Sequence, residues 1–155
     1  MIEIRRATEV VGLVAVVLSL AFLAYEQKRA NDIAEGEAIA NIMGEINNIV
    51  EMLAYDETLD RIWSQGQNDA ESLNDDELRR FLTIFNYIMN TYEMATMYVE
   101  NSLVDEQFAE YLARDLCGVI ESNDGTRIIW ASMKEDRAAV LVSFVNTHCP
   151  QVSSK

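Results

Sequence analysis

Few residues in this chain have the side chains that chemistry needs. The one histidine, His148, stands beside one of the two cysteines, Cys149, and Pro150 follows. Imidazole and thiolate both bind transition metals, but two adjacent ligands do not complete a tetrahedral site. A single histidine also excludes a HExxH zinc motif and a di-iron site with two ExxH pairs. Cys117 and Cys149 form no C-x-x-C motif and suggest no disulfide framework. Cys117 falls on an apolar helical stripe and reads as a small core residue, while His148 reads as a solvated side chain near the C-terminus. Asp75-Asp76-Glu77 gathers three carboxylates that can hold a cation, although acids at a helix start also complement its dipole without any ligand. Neither phosphate-binding loop, GxxxxGK[ST] or GxGxxG, occurs, and the serine nucleophile motif GxSxG is missing as well. The sequence therefore assigns no catalytic residue, no cofactor and no metal, and the chain reads as non-enzymatic.

One further set has binding potential. Tyr87, Met94, Met97 and Tyr98 lie in a single helical stretch that also carries Met89 and Tyr92. Polarisable thioethers and phenols can line a ligand pocket or an adaptable partner groove, and the same residues can simply pack a core.

The elements that position these residues begin with VVGLVAVVLSLAFLAY, residues 10–25, which carry no charge. Val, Leu, Ala and Phe occupy every angle around a helix axis there, so the segment has no polar face and must be covered on all sides. Lipid covers such a helix more readily than a small domain does. Sixteen residues reach about 24 Å against a hydrocarbon layer of about 30 Å. Snorkelling by Arg5 and Arg6 on one side and Lys28 and Arg29 on the other closes the gap, with Tyr25 suited to the interface. The membrane anchor is thus expected at Val10, Leu13, Val14, Val17, Leu18, Phe22, Leu23 and Tyr25. A signal peptide cleaved near Ser19-Leu20-Ala21 is the alternative, opposed by the apolar residues that continue past that point. Gly12, Ala15 and Ser19 share one face with spacing that suits helix pairing, or that chance provides.

No helix stop follows Tyr25. Apolar residues recur at Ile33, Ile39, Ile42, Ile46, Ile49/Val50 and Leu53, a single helical stripe. A near-continuous helix from about Val10 to Ala54 is expected, with a bend near Asn31–Gly36 as the alternative. DETLDRIWSQG predicts a short helix capped by Asp56 and ended by Gly66. QNDAESL is a polar connector. Asn74 and Glu77 then make a capping box for a long helix with two apolar faces, suited to the bundle centre. Asp105 starts another amphipathic helix, SNDG marks a turn, and a last helix carries Ile128/Ile129 through Phe144/Val145 and ends before Pro150. The fold class is all-α: an N-terminal transmembrane helix continuing into a small helical bundle of about four to five further helices. Domains are expected at 1–29 (membrane anchor with basic flanks), 30–150 (acidic helical bundle) and 151–155 (disordered tail).

Residues 30–155 carry 8 Lys/Arg against 23 Asp/Glu. That field repels nucleic acid, and the few basic residues, Arg79–Arg80 and Arg127, Lys134 and Arg137, are surrounded by acids. The expected partners are the lipid bilayer, through the first helix, and a protein of unknown identity, self-association included.

The order of motifs resembles a family of uncharacterised bacterial proteins with one N-terminal span and a small helical domain. The matching segments are AYEQKRAND, DETLDRIWSQG, LNDDELRRF, NSLVDEQF and NDGTRIIW, covering roughly Val10 to Phe144. The resemblance implies a single-pass protein of the bacterial inner membrane with a cytoplasmic domain, and it implies no catalytic residue. Arg5 and Arg6 depart from the family's charge pattern, which places fewer basic residues before the span than after it. The function expected is a membrane-anchored protein-interaction or accessory module. The alternative is a small-molecule or lipid sensor with a Met/Tyr-lined pocket.

Overall fold

The computed structural model describes residues 2–153, with side chains over 11–150 and at Val152. The side chains of Arg5, Arg6 and Val10, and residues Ser154 and Lys155 of the expected tail, lie outside the described residues. Among the described residues the fold is all-α. It has six helices of ten residues or more, a four-residue helical turn, two 3-10 turns and no strand.

Helix α1, Ile2–Tyr55, runs without interruption, so Asn31–Gly36 forms no break. The chain divides into two compact units, one ending at Glu37 and one beginning at Ala38. In the first unit, every side chain from Val11 to Tyr25 is exposed. α1 is long and apolar enough to cross a membrane, and none of its most apolar 18-residue window is buried. The Ser19 hydroxyl donates to the Ala15 carbonyl oxygen at 2.8 Å, so the one hydroxyl in the run before Tyr25 is satisfied within the helix, as an apolar surround requires.

The second unit begins eight residues beyond the boundary expected at residue 30, because Ile33 is exposed and Ala38 is the first buried residue. From there Ala38, Ile42 and Ile49 of α1 enter the main core. Helix α2, Glu57–Asn68, starts where the Asp56 carboxylate accepts from the Thr58 and Leu59 amides. Gly66 does not end it. A Cβ at Gly66 would lie 2.5 Å from the Phe81 ring, and a Cβ at Gly125 would lie 2.1 Å from the Gly66 carbonyl oxygen. Gly66 and Gly125 are therefore close-packing residues at a three-way joint. The connector after α2 folds into a 3-10 turn, Ala70–Ser72.

Helix α3, Asp75–Glu100, opens with the full Asn74–Glu77 capping box and buries Phe81, Phe85, Met89 and Ala95 completely. It packs on α2 and on two later helices, α4 (Glu106–Glu121) and α6 (Ala139–His148). α3 ends in a Schellman arrangement: the Ser102 amide donates to the Val99 carbonyl and the Leu103 amide to the Tyr98 carbonyl. Ser102 takes φ 54° there, the left-handed conformation that glycine adopts at least cost.

α4 is capped by Asp105, whose carboxylate accepts from the Phe108 amide at 2.7 Å. Its stripe Leu112, Leu116 and Ile120 is fully buried. The single last helix expected from the periodicity is instead two, α5 (Asp124–Met133) and α6, separated by the 3-10 turn Lys134–Asp136. The break is held from outside the segment. The Arg137 guanidinium donates to Asn86 and Asn90 of α3, and the Ala138 amide donates to the Glu93 carboxylate. These bonds hold Arg137 in extended backbone and Ala138 near polyproline II, both outside the helical region. The disordered tail expected from residue 151 also needs correcting. Pro150–Ser153 forms the helical turn α7, whose Val152 packs on the core.

Two stability changes follow from these joints. Ser102→Gly removes the left-handed penalty and is expected to stabilise the bundle by about 0.5–1 kcal/mol. Gly125→Ala pushes a methyl into a backbone carbonyl and is expected to cost about 1–3 kcal/mol. Urea denaturation of the full-length protein in detergent reads both, and an unchanged midpoint for Gly125→Ala would contradict the tight joint.

Candidate functional site

The second unit carries an apolar groove of about 230 Å³ built from four helices. Each contributes residues at helical spacing, which lines one wall. α1 supplies Ile46, Ile49, Val50 and Leu53, and α2 supplies Trp63 and Gln67. Ile88 and Tyr92 of α3 and Asp115 and Val119 of α4 complete it. Ile49, Ile88 and Tyr92 are buried, and Val50 stands 58% exposed at the rim. Gln67, Asp115 and Val119 also line an adjoining recess of about 540 Å³, whose other walls include Tyr111, Arg114 and Ser122. The combined surface is apolar on the α1 side and polar on the α4 side.

The Tyr92 hydroxyl donates to Asp115 Oδ2 where the two halves meet. Burial pushes the Tyr92 phenol far above its ordinary 10.0, and the Asp115 carboxylate, as acceptor and as a nearby negative charge, pushes it further. A phenol held this firmly protonated is a structural donor. It orients Asp115 and leaves the carboxylate's other oxygen to accept from a donor or pair with a cation at the groove's polar edge.

The four Met/Tyr residues singled out from the sequence are not gathered around this groove. The Tyr87 hydroxyl donates to Glu45 Oε2 of α1 at 2.7 Å, and that bond chiefly raises its pKa, with burial adding. Met94 and Tyr98 are half-buried, Tyr98 against the main core, and Met97 is exposed. None of the four lines the groove or the recess beside it. Asp115 carries little signal in the sequence: an acid four residues before Val119, on a helix face otherwise partly apolar.

The remaining chemical candidates have structural partners. Glu77 completes the capping box and pairs with Arg61, whose guanidinium lowers the Glu77 pKa most, followed by the Asn74 amide. Asp76 pairs with Arg79 at 3.5 Å and Arg80 at 3.1 Å. The His148 ring lies on Phe144, centroids 4.4 Å apart. Cys149 is fully buried and disulfide-bonded to Cys117, with Cα atoms 5.4 Å apart. This corrects the expectation that Cys117 and Cys149 form no disulfide and that Cys117 is simply a small core residue, because contact between α4 and α6 closes the 32 positions that separate the two cysteines. It also removes the Cys149 sulfur as a thiolate ligand beside His148. Among the described residues, no three His, Cys, Asp or Glu side chains cluster as metal ligands would.

Compared with models of known protein families, with curated proteins and with solved structures, the chain matches none.

The Tyr92–Asp115 bond has a pH signature. A folded-state pKa raised above 10.0 contributes stability that is fully present below pH 10.0 and is lost as pH rises from there towards the folded value. Tyr92→Phe is expected to cost about 1–2 kcal/mol at neutral pH and to flatten the stability decline above pH 10.0. Urea midpoints across pH 8 to 11 (about the range over which a tyrosine titrates) check both, and equal alkaline slopes for the two proteins would contradict the assignment.

Proposed function

We propose that this chain is a single-pass, membrane-anchored helical domain that acts as a protein-interaction or accessory module. One observation carries the reading: fifteen consecutive side chains, Val11–Tyr25, are exposed, and Ser19 is the only one before Tyr25 with a polar group. Leaving that surface in water costs about 25 cal/mol per Å² of apolar area, and a bilayer removes the cost. Leu13, Val14, Val17, Leu18, Phe22 and Leu23, each more than half exposed, would face lipid, with Tyr25 at the interface. The motif resemblance supports a bacterial inner membrane. The charge rule is balanced, with Arg5 and Arg6 before the span and Lys28 and Arg29 after it.

The groove is the natural place for a partner, since it offers an apolar wall and an oriented carboxylate. Nucleic acid is disfavoured as that partner by the 23 Asp/Glu against 8 Lys/Arg of residues 30–155 and by the local pairing of Arg79, Arg80 and Arg127 with acids. A second reading, sensing of a small molecule or lipid, rests on the same groove, whose apolar wall with a few polar groups also suits a small ligand.

Fractionation tests the anchor. The full-length protein is expected in the membrane pellet after alkaline carbonate extraction and in solution only with detergent. Val17→Arg with Leu18→Arg is expected to shift most of it to the supernatant, because each central arginine costs about 2.5–3.5 kcal/mol of insertion. Wild-type protein in the soluble fraction would refute the anchor. A photo-crosslinker at Val50 then separates the two readings: a cross-linked protein supports the interaction module, and a bound metabolite without any protein supports the sensor.

A further inference from the structure

The chain has two cysteines, and both are consumed in one cross-link. Cys117 lies in the second half of α4, and Cys149 lies between α6 and α7. Their Cα atoms stand 5.4 Å apart, within the ordinary range for a disulfide. The bond ties the C-terminal end of the chain to the middle of the bundle across 32 positions. Cys149 is completely buried beside Leu141 and Val145 in the core cluster, so the cross-link belongs to the packed interior. Structural disulfides persist in oxidising compartments such as the bacterial periplasm and are rare in the cytosol, where thiol reductants keep cysteines reduced.

We propose that the bundle faces the oxidising side of the membrane, with the N-terminus in the cytoplasm, and that the Cys117–Cys149 bond forms there as part of the working domain. This orientation is opposite to the cytoplasmic placement implied by the motif resemblance, and it rests on the anchor reading above. It agrees equally well with the charge rule, because Arg5 and Arg6 are then the basic flank that stays inside. Bond formation is balanced by thiol–disulfide exchange. The two thiols give up two protons and two electrons, and an oxidised protein disulfide of that compartment takes them up and becomes a dithiol. The groove's partner or ligand would accordingly belong to the same side as the bundle.

The test uses the wild-type full-length protein in membranes of a Gram-negative host. Thiols are trapped by acid quench and then alkylated in detergent with a maleimide-polyethylene glycol, before and after reduction. The expected result is no added mass before reduction and two additions after it. In parallel, intact spheroplasts are treated with protease, and the bundle is expected to be digested while a cytoplasmic marker survives. Two additions before reduction would overturn the proposal, and so would a bundle protected until the spheroplasts are lysed. Recovery of an oxidised, soluble protein from the periplasm would overturn the anchor reading while leaving the compartment assignment standing.

Discussion

Apolar helix surface has to be removed from water, and the two units of this chain answer that demand differently. From Ala38 onward, Ile42, Phe85, Leu112, Leu116, Ile120 and Leu141 disappear into a shared core. Burial of each such side chain contributes about 1.5–3 kcal/mol. From Val11 to Leu23 the chain buries nothing within itself. The same helix, α1, spans both regimes, and its composition changes along its length: apolar on all sides before Tyr25, striped after it. A striped helix needs neighbours on one face, and an unstriped one needs a surround.

Within the bundle, polar bonds decide where the packed helices start, stop and turn. Asp56, the Asn74–Glu77 pair and Asp105 satisfy first-turn amides that would otherwise lack partners. Arg137 reaches α3 and interrupts a stretch whose apolar periodicity would sustain one longer helix. No buried side-chain nitrogen or oxygen among the described residues lacks a partner. Even Thr126, fully buried, donates to backbone carbonyls at the end of α4. Tyr92–Asp115 is a satisfied polar pair placed beside an apolar cleft.

In the proposed function the apolar helix would supply position, while the groove supplies a surface with a defined apolar wall and a defined acceptor. The cross-link holds α4, which carries Asp115, against the end of α6.

Much of this was legible in the residues themselves. The apolar run, the stripe through Ile42, Ile46 and Leu53, the caps at Asp56, Asn74 and Asp105 and the turn at SNDG depend on neighbours within a few positions, so periodicity and local hydrogen bonding reveal them. Residues whose roles depend on distant partners were not legible. Gly66 resembles a helix stop until Phe81 and Gly125 are seen to occupy the space a side chain would need. Residues 124–148 look like one helix until Asn86, Asn90 and Glu93 of α3 claim the junction. Cys117 and Cys149 look unrelated until α4 and α6 meet. Tyr87, Met94, Met97 and Tyr98 share a stretch of sequence but no common cleft, because a helix turns successive residues towards different neighbours. The sequence alone determined that the chain is all-α and which of its segments needs cover all round. Only the tertiary structure decided which side chains meet, because those meetings, such as Arg61 with Glu77 and Arg137 with Asn86, join residues on different helices, too far apart in the chain for any local pattern to record.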